Sequence, residues 1–133
     1  MTITREVVTS AKSPAAIGPY SAGIRTGNLL FVSGTLGMDP ITGELVAGGI
    51  EGETRQALKN LENILVAGGA SLASVVKTTV YMQNLGEFPA MNAIYGEVFF
   101  KEPPARSTVE VAALPKHASV EIEAIALILE PGG

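Results

Sequence analysis

Two hydrophobic rhythms run along the chain, one helical and one with the period of two that marks a strand. From about Ile50 to Ala67 the apolar residues Ala57, Leu58, Leu61, Ile64 and Leu65 recur at helical spacing. Glu51 and Glu53 stand where the helix dipole favours anions, and Gly68-Gly69 supplies a stop. A second helix is predicted over about 87–100, with Phe88, Met91, Tyr95, Val98 and Phe99 on one stripe. Strands are predicted over 5–9 (a short edge strand), 20–25 and 28–33 around the turn "RTGN", 74–83, 105–112 and 119–129. "MDPITGEL" reads as a loop opened by Asp39-Pro40. The order, two or three strands, helix, strand, helix, two strands, defines an α+β protein. A mixed sheet of about five to six strands carries both helices on one face.

The last strand, "SVEIEAIALIL", breaks the one-sided pattern. Ala124, Ala126 and Ile128 lie on one face, and Ile125, Leu127 and Leu129 on the other. A strand apolar on both sides is buried on both sides. The helices cover one face only, so a second copy of the chain in a closed symmetric oligomer is expected on the other.

Composition narrows the chemistry. A chain of 133 residues is one domain on length alone. Cysteine is absent and His117 is the single histidine, which excludes thiolate chemistry and makes a metal centre or a Ser-His triad unexpected. The net charge of −4 and the scattered cations argue against a nucleic-acid partner. No apolar run suits a membrane span, and "MTITREVVTS" resembles neither a signal nor a transit peptide, so a cytoplasmic protein is expected. Charged residues are 17% of the chain, against about 25% in typical domains. That too suits a surface partly hidden in an oligomer.

Against this background several polar residues stand out. Arg106 opens the strand "ARSTVEV", and Glu121 and Glu123 head the apolar stripe of the last strand. Each is a solvated or ion-paired surface group, or part of a site. The two strands are consecutive, and pairing them as a hairpin through "LPKHAS" would bring Arg106 beside Glu121. Asn92 sits on the apolar stripe of the second helix, either as a structural hydrogen-bonder or aimed into a site. Tyr20 in "GPYSAG" suits turn packing or a pocket. Ser33-Gly34, ending a strand, is either a turn or a hydroxyl and N–H offered to an anion. "GGIEGET" reads as a helix start, and His117 as solvated.

The blocks "AAIGPYSAG", "NLLFVSG", "ALKNLENIL", "VVKTTVYM", "FPAMNAIY", "PPARSTVEVAALPK" and "VEIEAIA" resemble the RidA (YjgF) family, in order, over about residues 7–127. The resemblance implies a single domain over 1–133 with a chorismate-mutase-like α+β fold, assembled as a homotrimer with sites between subunits. It also implies 2-iminobutanoate/2-iminopropanoate deaminase activity with no cofactor and no metal. In that pattern Arg106 binds the substrate carboxylate and Glu121 holds the reacting water. Tyr20, Ser33, Gly34, Asn92 and Thr108 line the substrate site. Two positions depart from it: Thr108 stands where many members have Cys, and Thr35 where many have Gln. Thr108 is expected to serve through its backbone. The implied partner is a small 2-imino acid, with neither nucleic acid nor membrane. Other members are described as RNA-cleaving translation inhibitors, chaperone-like proteins or ligand sensors, so a non-catalytic binding module is the alternative.

Overall fold

The structure is a computed structural model that describes residues 4–129. It contains β1 (Glu6–Val8), β2 (Gly23–Thr26), β3 (Leu29–Leu36), α1 (Gly49–Ala67), β4 (Val75–Met82), α2 (Phe88–Val98), β5 (Ala105–Glu110) and β6 (Val120–Leu127). Short 3-10 turns at Leu72–Ser74, Leu85–Glu87 and Pro115–His117 join them. The strands form one mixed sheet in the order β1-β2-β3-β6-β4-β5, with β4 and β5 parallel and every other pair antiparallel. Among the described residues no helix is long and apolar enough to cross a membrane.

The elements form where the pattern predicts them, with three corrections. First, β5 and β6 do not form a hairpin: β6 lies between β3 and β4, and β5 is the edge strand beyond β4. The reason is visible in the side chains. β6 carries Val120, Ile122, Ala124 and Ala126, each under a twentieth exposed, and such a strand is most stable with a neighbour on each side. β5 is mostly exposed, and reaches a parallel partner by crossing over through α2, as a βαβ unit must. Second, Ser33-Gly34 does not end a strand. β3 continues to Leu36, and the register shift between Val32 and Thr35 makes this pair a bulge opposite β6. Third, the segment from 9 to 22 is irregular, so Tyr20 lies in a loop and β2 begins only at Gly23.

Both helices pack on one face. Leu58, Leu61, Ile64 and Leu65 of α1 and Met91, Ile94 and Tyr95 of α2 close over Leu30, Val32, Val80, Met82, Val120 and Ile122. Each large apolar side chain removed from water here contributes about 1.5–3 kcal/mol. "GGIEGET" opens α1 as expected, with Gly48 and Gly49 at φ 105° and 61°. Two polar side chains fix the irregular segments to this core. Asn60, 1% exposed, donates through Nδ2 to the carbonyls of Leu36 (3.0 Å) and Met38 (2.9 Å). Ser13 donates to the Asn60 carbonyl at 2.8 Å, which ties the 9–22 loop to α1.

Among the described residues no helix covers the opposite face of the sheet. Phe31, Val109 and Leu127 stand about two-fifths exposed there (40%, 42% and 42%), and Leu129 is 51% exposed. The double-sided apolar character of the last strand is therefore real, and one side is uncovered in the single chain.

Candidate active site

The residues singled out above gather in two separate places. The first is a cavity of ≈ 630 Å³ bounded by the 13–22 loop, the β3 bulge and the β5–β6 connection. Tyr20, Ser33, Gly34, Glu121 and Glu123 all line it. The bulge turns Ser33 toward the loop: its N–H donates to the Ala22 carbonyl at 2.9 Å and its hydroxyl to the Ser21 carbonyl at 2.6 Å. That leaves the Ser33 oxygen as an acceptor. Tyr20 is 52% exposed, and its oxygen accepts the Ile17 N–H at 3.3 Å.

Glu121 lies across Gly34. A Cβ at residue 34 would meet Glu121 Oε2 at 2.5 Å and Cδ at 2.6 Å, so only glycine leaves the carboxyl room. Burial pushes the Glu121 carboxyl above its ordinary pKa, and the neighbouring Glu123 charge adds to the rise. Glu123 itself accepts a hydrogen bond from the Tyr81 hydroxyl at 2.9 Å, and that bond, first, raises the tyrosine's pKa. Lys116, held at φ 59°, donates to the Gly43 carbonyl at 2.9 Å beside the same cavity. Thr35 also lines the cavity, but its hydroxyl has one proton between the carbonyls of Ile122 (2.9 Å) and Ala57 (3.0 Å). Its side chain is thus occupied in joining β6 to α1.

The second place is a smaller cavity of ≈ 300 Å³ where α2 meets β5, lined by Asn92, Tyr95, Phe99, Pro103, Pro104 and Arg106 among others. The Arg106 guanidinium carbon lies 4.7 Å from the Tyr95 ring centre and 5.5 Å from that of Phe88. Among the described residues Arg106 makes no ion pair; the single bridge there joins Arg55 to Glu97 at 3.0 Å. Thr108 is half-buried and shares the Arg106 side of β5 by the period of two. His117 is exposed.

Register turns the Arg106 and Glu121 side chains to opposite faces. Arg106 pairs with Thr78 of β4, and Glu121 pairs with Tyr81. Residues 78 and 81 differ by an odd number, so they point to opposite faces. Thr78 is fully buried under the helices, whereas Tyr81 is on the uncovered face. One chain therefore cannot close Arg106 and Glu121 around one small molecule, which overturns the hairpin expectation. Sequence reasoning also missed the contacts of Phe88 and Tyr95 with Arg106 and of Tyr81 with Glu123. The rings were indistinguishable from core residues, and the Tyr81–Glu123 contact depends on register.

This fold recurs in known proteins. The family profile described as "Endoribonuclease L-PSP" matches residues 10–128. The chain is 46% identical over 125 residues to the human protein named 2-iminobutanoate/2-iminopropanoate deaminase, covering 94% of this chain and 91% of that one. It is 49% identical over 126 residues to chloroplastic Reactive Intermediate Deaminase A of Arabidopsis thaliana, covering 95% of this chain and 67% of that one. The crystal structure of E. coli TdcF with bound serine superposes with a TM-score of 0.89 at 37% identity, covering 93% of this chain and 99% of that one. The chain belongs to the RidA (YjgF) family, matched by the L-PSP profile over nearly its whole length.

Proposed function

We propose that the protein is a 2-iminobutanoate/2-iminopropanoate deaminase that hydrolyses small 2-imino acids to 2-oxo acids and ammonia, in clefts between the copies of a cytoplasmic homotrimer. The observation that carries this reading is the split just described: a guanidinium without an anionic partner among the described residues in one cavity, and a carboxyl with a raised pKa in the other. Stacking a second copy against the uncovered apolar face supplies what each half lacks. Arg106 then grips the substrate carboxylate with two parallel N–H donors, which fixes the imine carbon. Asn92 and the backbone at Thr108 border that end, and Tyr20, Ser33 and Gly34 border the other.

The reaction is short. Glu121 accepts a proton from a water as the water oxygen attacks the C=N carbon. The carbinolamine forms, the carboxylic acid returns the proton to nitrogen, and ammonia leaves as the C=O bond closes and the regenerated Glu121 carboxylate takes the hydroxyl proton. A carboxyl whose pKa is raised by burial suits both halves of this exchange. Neither metal nor covalent nucleophile is required, because a protonated imine is already a strong electrophile. No nucleic acid or membrane takes part.

The test couples the protein to a threonine dehydratase. Catalytic amounts of it should accelerate the appearance of 2-oxobutanoate at constant dehydratase. Binding of 2-oxobutanoate without acceleration would instead mean a ligand-binding module using the same cleft.

A further inference from the structure

Arg106 is a poor candidate for a self-supporting clamp. It opens an edge strand, has a long flexible stem, and is fastened by no carboxylate among the described residues. Something else must hold its guanidinium if it is to meet a substrate in one orientation. The stripe Phe88–Asn92–Tyr95 on α2 supplies this. Residues i, i+4 and i+7 share one helix face, so two rings stand two turns apart with an amide between them. The Arg106 guanidinium carbon lies over both rings, 5.5 Å from the centre of Phe88 and 4.7 Å from that of Tyr95. Ring faces attract a cation without accepting its N–H groups as a carboxylate would, so the donors remain available to a ligand.

The Tyr95 ring is itself locked. It is 5% exposed and packs on Phe99 at 4.7 Å between centres, with an interplanar angle of 41°. Its hydroxyl forms a 2.7 Å hydrogen bond with Thr78, and Thr78 is the ladder partner of Arg106. The strand residue paired with the arginine thus fixes the ring on which the arginine lies.

We propose that Phe88 and Tyr95 are positioning residues that hold the Arg106 guanidinium ready for the substrate carboxylate. This rests on the reading that Arg106 binds that carboxylate. The rings cost binding little, because their order is set during folding rather than on substrate capture.

Five proteins test it: wild type, Phe88→Leu, Tyr95→Phe, Tyr95→Leu and Arg106→Lys. Each is titrated calorimetrically with 2-oxobutanoate, assayed for kcat and KM, and examined by NMR for the Arg106 Nε–H signal, assigned by its loss in Arg106→Lys. Phe88 is only partly buried, so Phe88→Leu is the variant that keeps the proposal testable should Tyr95→Leu fail to fold. Phe88→Leu should shift the Nε–H signal away from its ring-shielded position and weaken 2-oxobutanoate binding about three- to tenfold. KM should rise by the same factor and kcat change by less than about twofold. Tyr95→Phe keeps the ring and should bind within about threefold of wild type, whereas folded Tyr95→Leu should lose at least tenfold. Unchanged oxo-acid binding in Phe88→Leu, or equal losses in Tyr95→Phe and Tyr95→Leu, would overturn the proposal. A wild type that binds 2-oxobutanoate no better than Arg106→Lys would instead overturn the carboxylate reading on which it rests.

Discussion

Two inactive versions of this chain should make an active protein together. Arg106→Lys keeps a charge but loses the two-pronged donor, and by itself should cost about thirty- to a thousand-fold in kcat/KM. Glu121→Gln keeps the shape but cannot take the proton. Arg106 and Glu121 occupy opposite faces of one sheet, so under the proposed function each site would draw its arginine from one chain and its glutamate from another. In a randomly assembled one-to-one mixture, half the arginine donors and half the glutamate donors are intact. About one quarter of the sites are then wild type, whatever the number of chains in the ring. A site contained in one chain would give none. The reciprocal mixture sharpens the contrast: a doubly substituted chain co-assembled with wild type should leave about one quarter of the activity if sites are shared, and about one half if they are not. The parents are denatured, mixed, refolded together and assayed for 2-oxobutanoate production, with separately refolded parents as the control. Activity that stays at the parental level in a mixture whose mixed assembly is shown by mass spectrometry would refute the shared site.

Other outcomes follow from the same geometry. Calorimetry with 2-oxobutanoate should show weakened binding for Arg106→Lys and nearly unchanged binding for Glu121→Gln; equal binding by wild type and Arg106→Lys would place the carboxylate elsewhere. Gly34→Ala should lower stability by only about 1 kcal/mol, because the Cβ strikes the mobile end of Glu121 rather than backbone. Its turnover should nevertheless fall at least about tenfold, and a thermal melt beside kcat separates the two effects. Glu123→Gln removes the like charge that adds to the rise in the Glu121 pKa. The acidic limb of the pH–rate profile should therefore move to lower pH, while burial keeps Glu121 above the ordinary carboxylate value. The sign for stability is consistent: a raised carboxyl binds its proton more tightly folded than unfolded, so wild type loses stability as pH rises through that window, and Glu123→Gln should lose less. An acidic limb that does not move would remove Glu123 from the site's electrostatics.

What could be read before the structure was known was whatever local spacing encodes. The faces of β6, the stripe of α2 and the misplaced Asn92, Arg106 and Glu121 all follow from periods of two and 3.6. The hairpin between β5 and β6 was wrong because adjacency in the chain favours it, whereas the real partner of β5 is β4, a helix away in sequence. Ser33-Gly34 looked like a strand end because a bulge and a turn use the same residues. Phe88 and Tyr95 were hidden by their own apolarity: a ring that holds a cation and a ring that fills a core have the same spacing. Glu123 and Tyr81 meet only diagonally across a ladder, so their contact is set by register, which composition does not carry.

The central place of β6 has a consequence for how the protein is made. The ribosome delivers β1, β2, β3 and α1 first, then β4, α2 and β5, and only then the strand that joins the two groups. Until β6 emerges, β3 and β4 each present an open ladder edge, the kind of surface on which nascent chains stick to one another. At about 5–20 residues per second the stretch from the end of β4 to the end of β6 leaves those edges unguarded for seconds. A message truncated before Val120 therefore yields two unjoined half-sheets with exposed edges, a substrate for chaperones and proteases rather than a shortened enzyme.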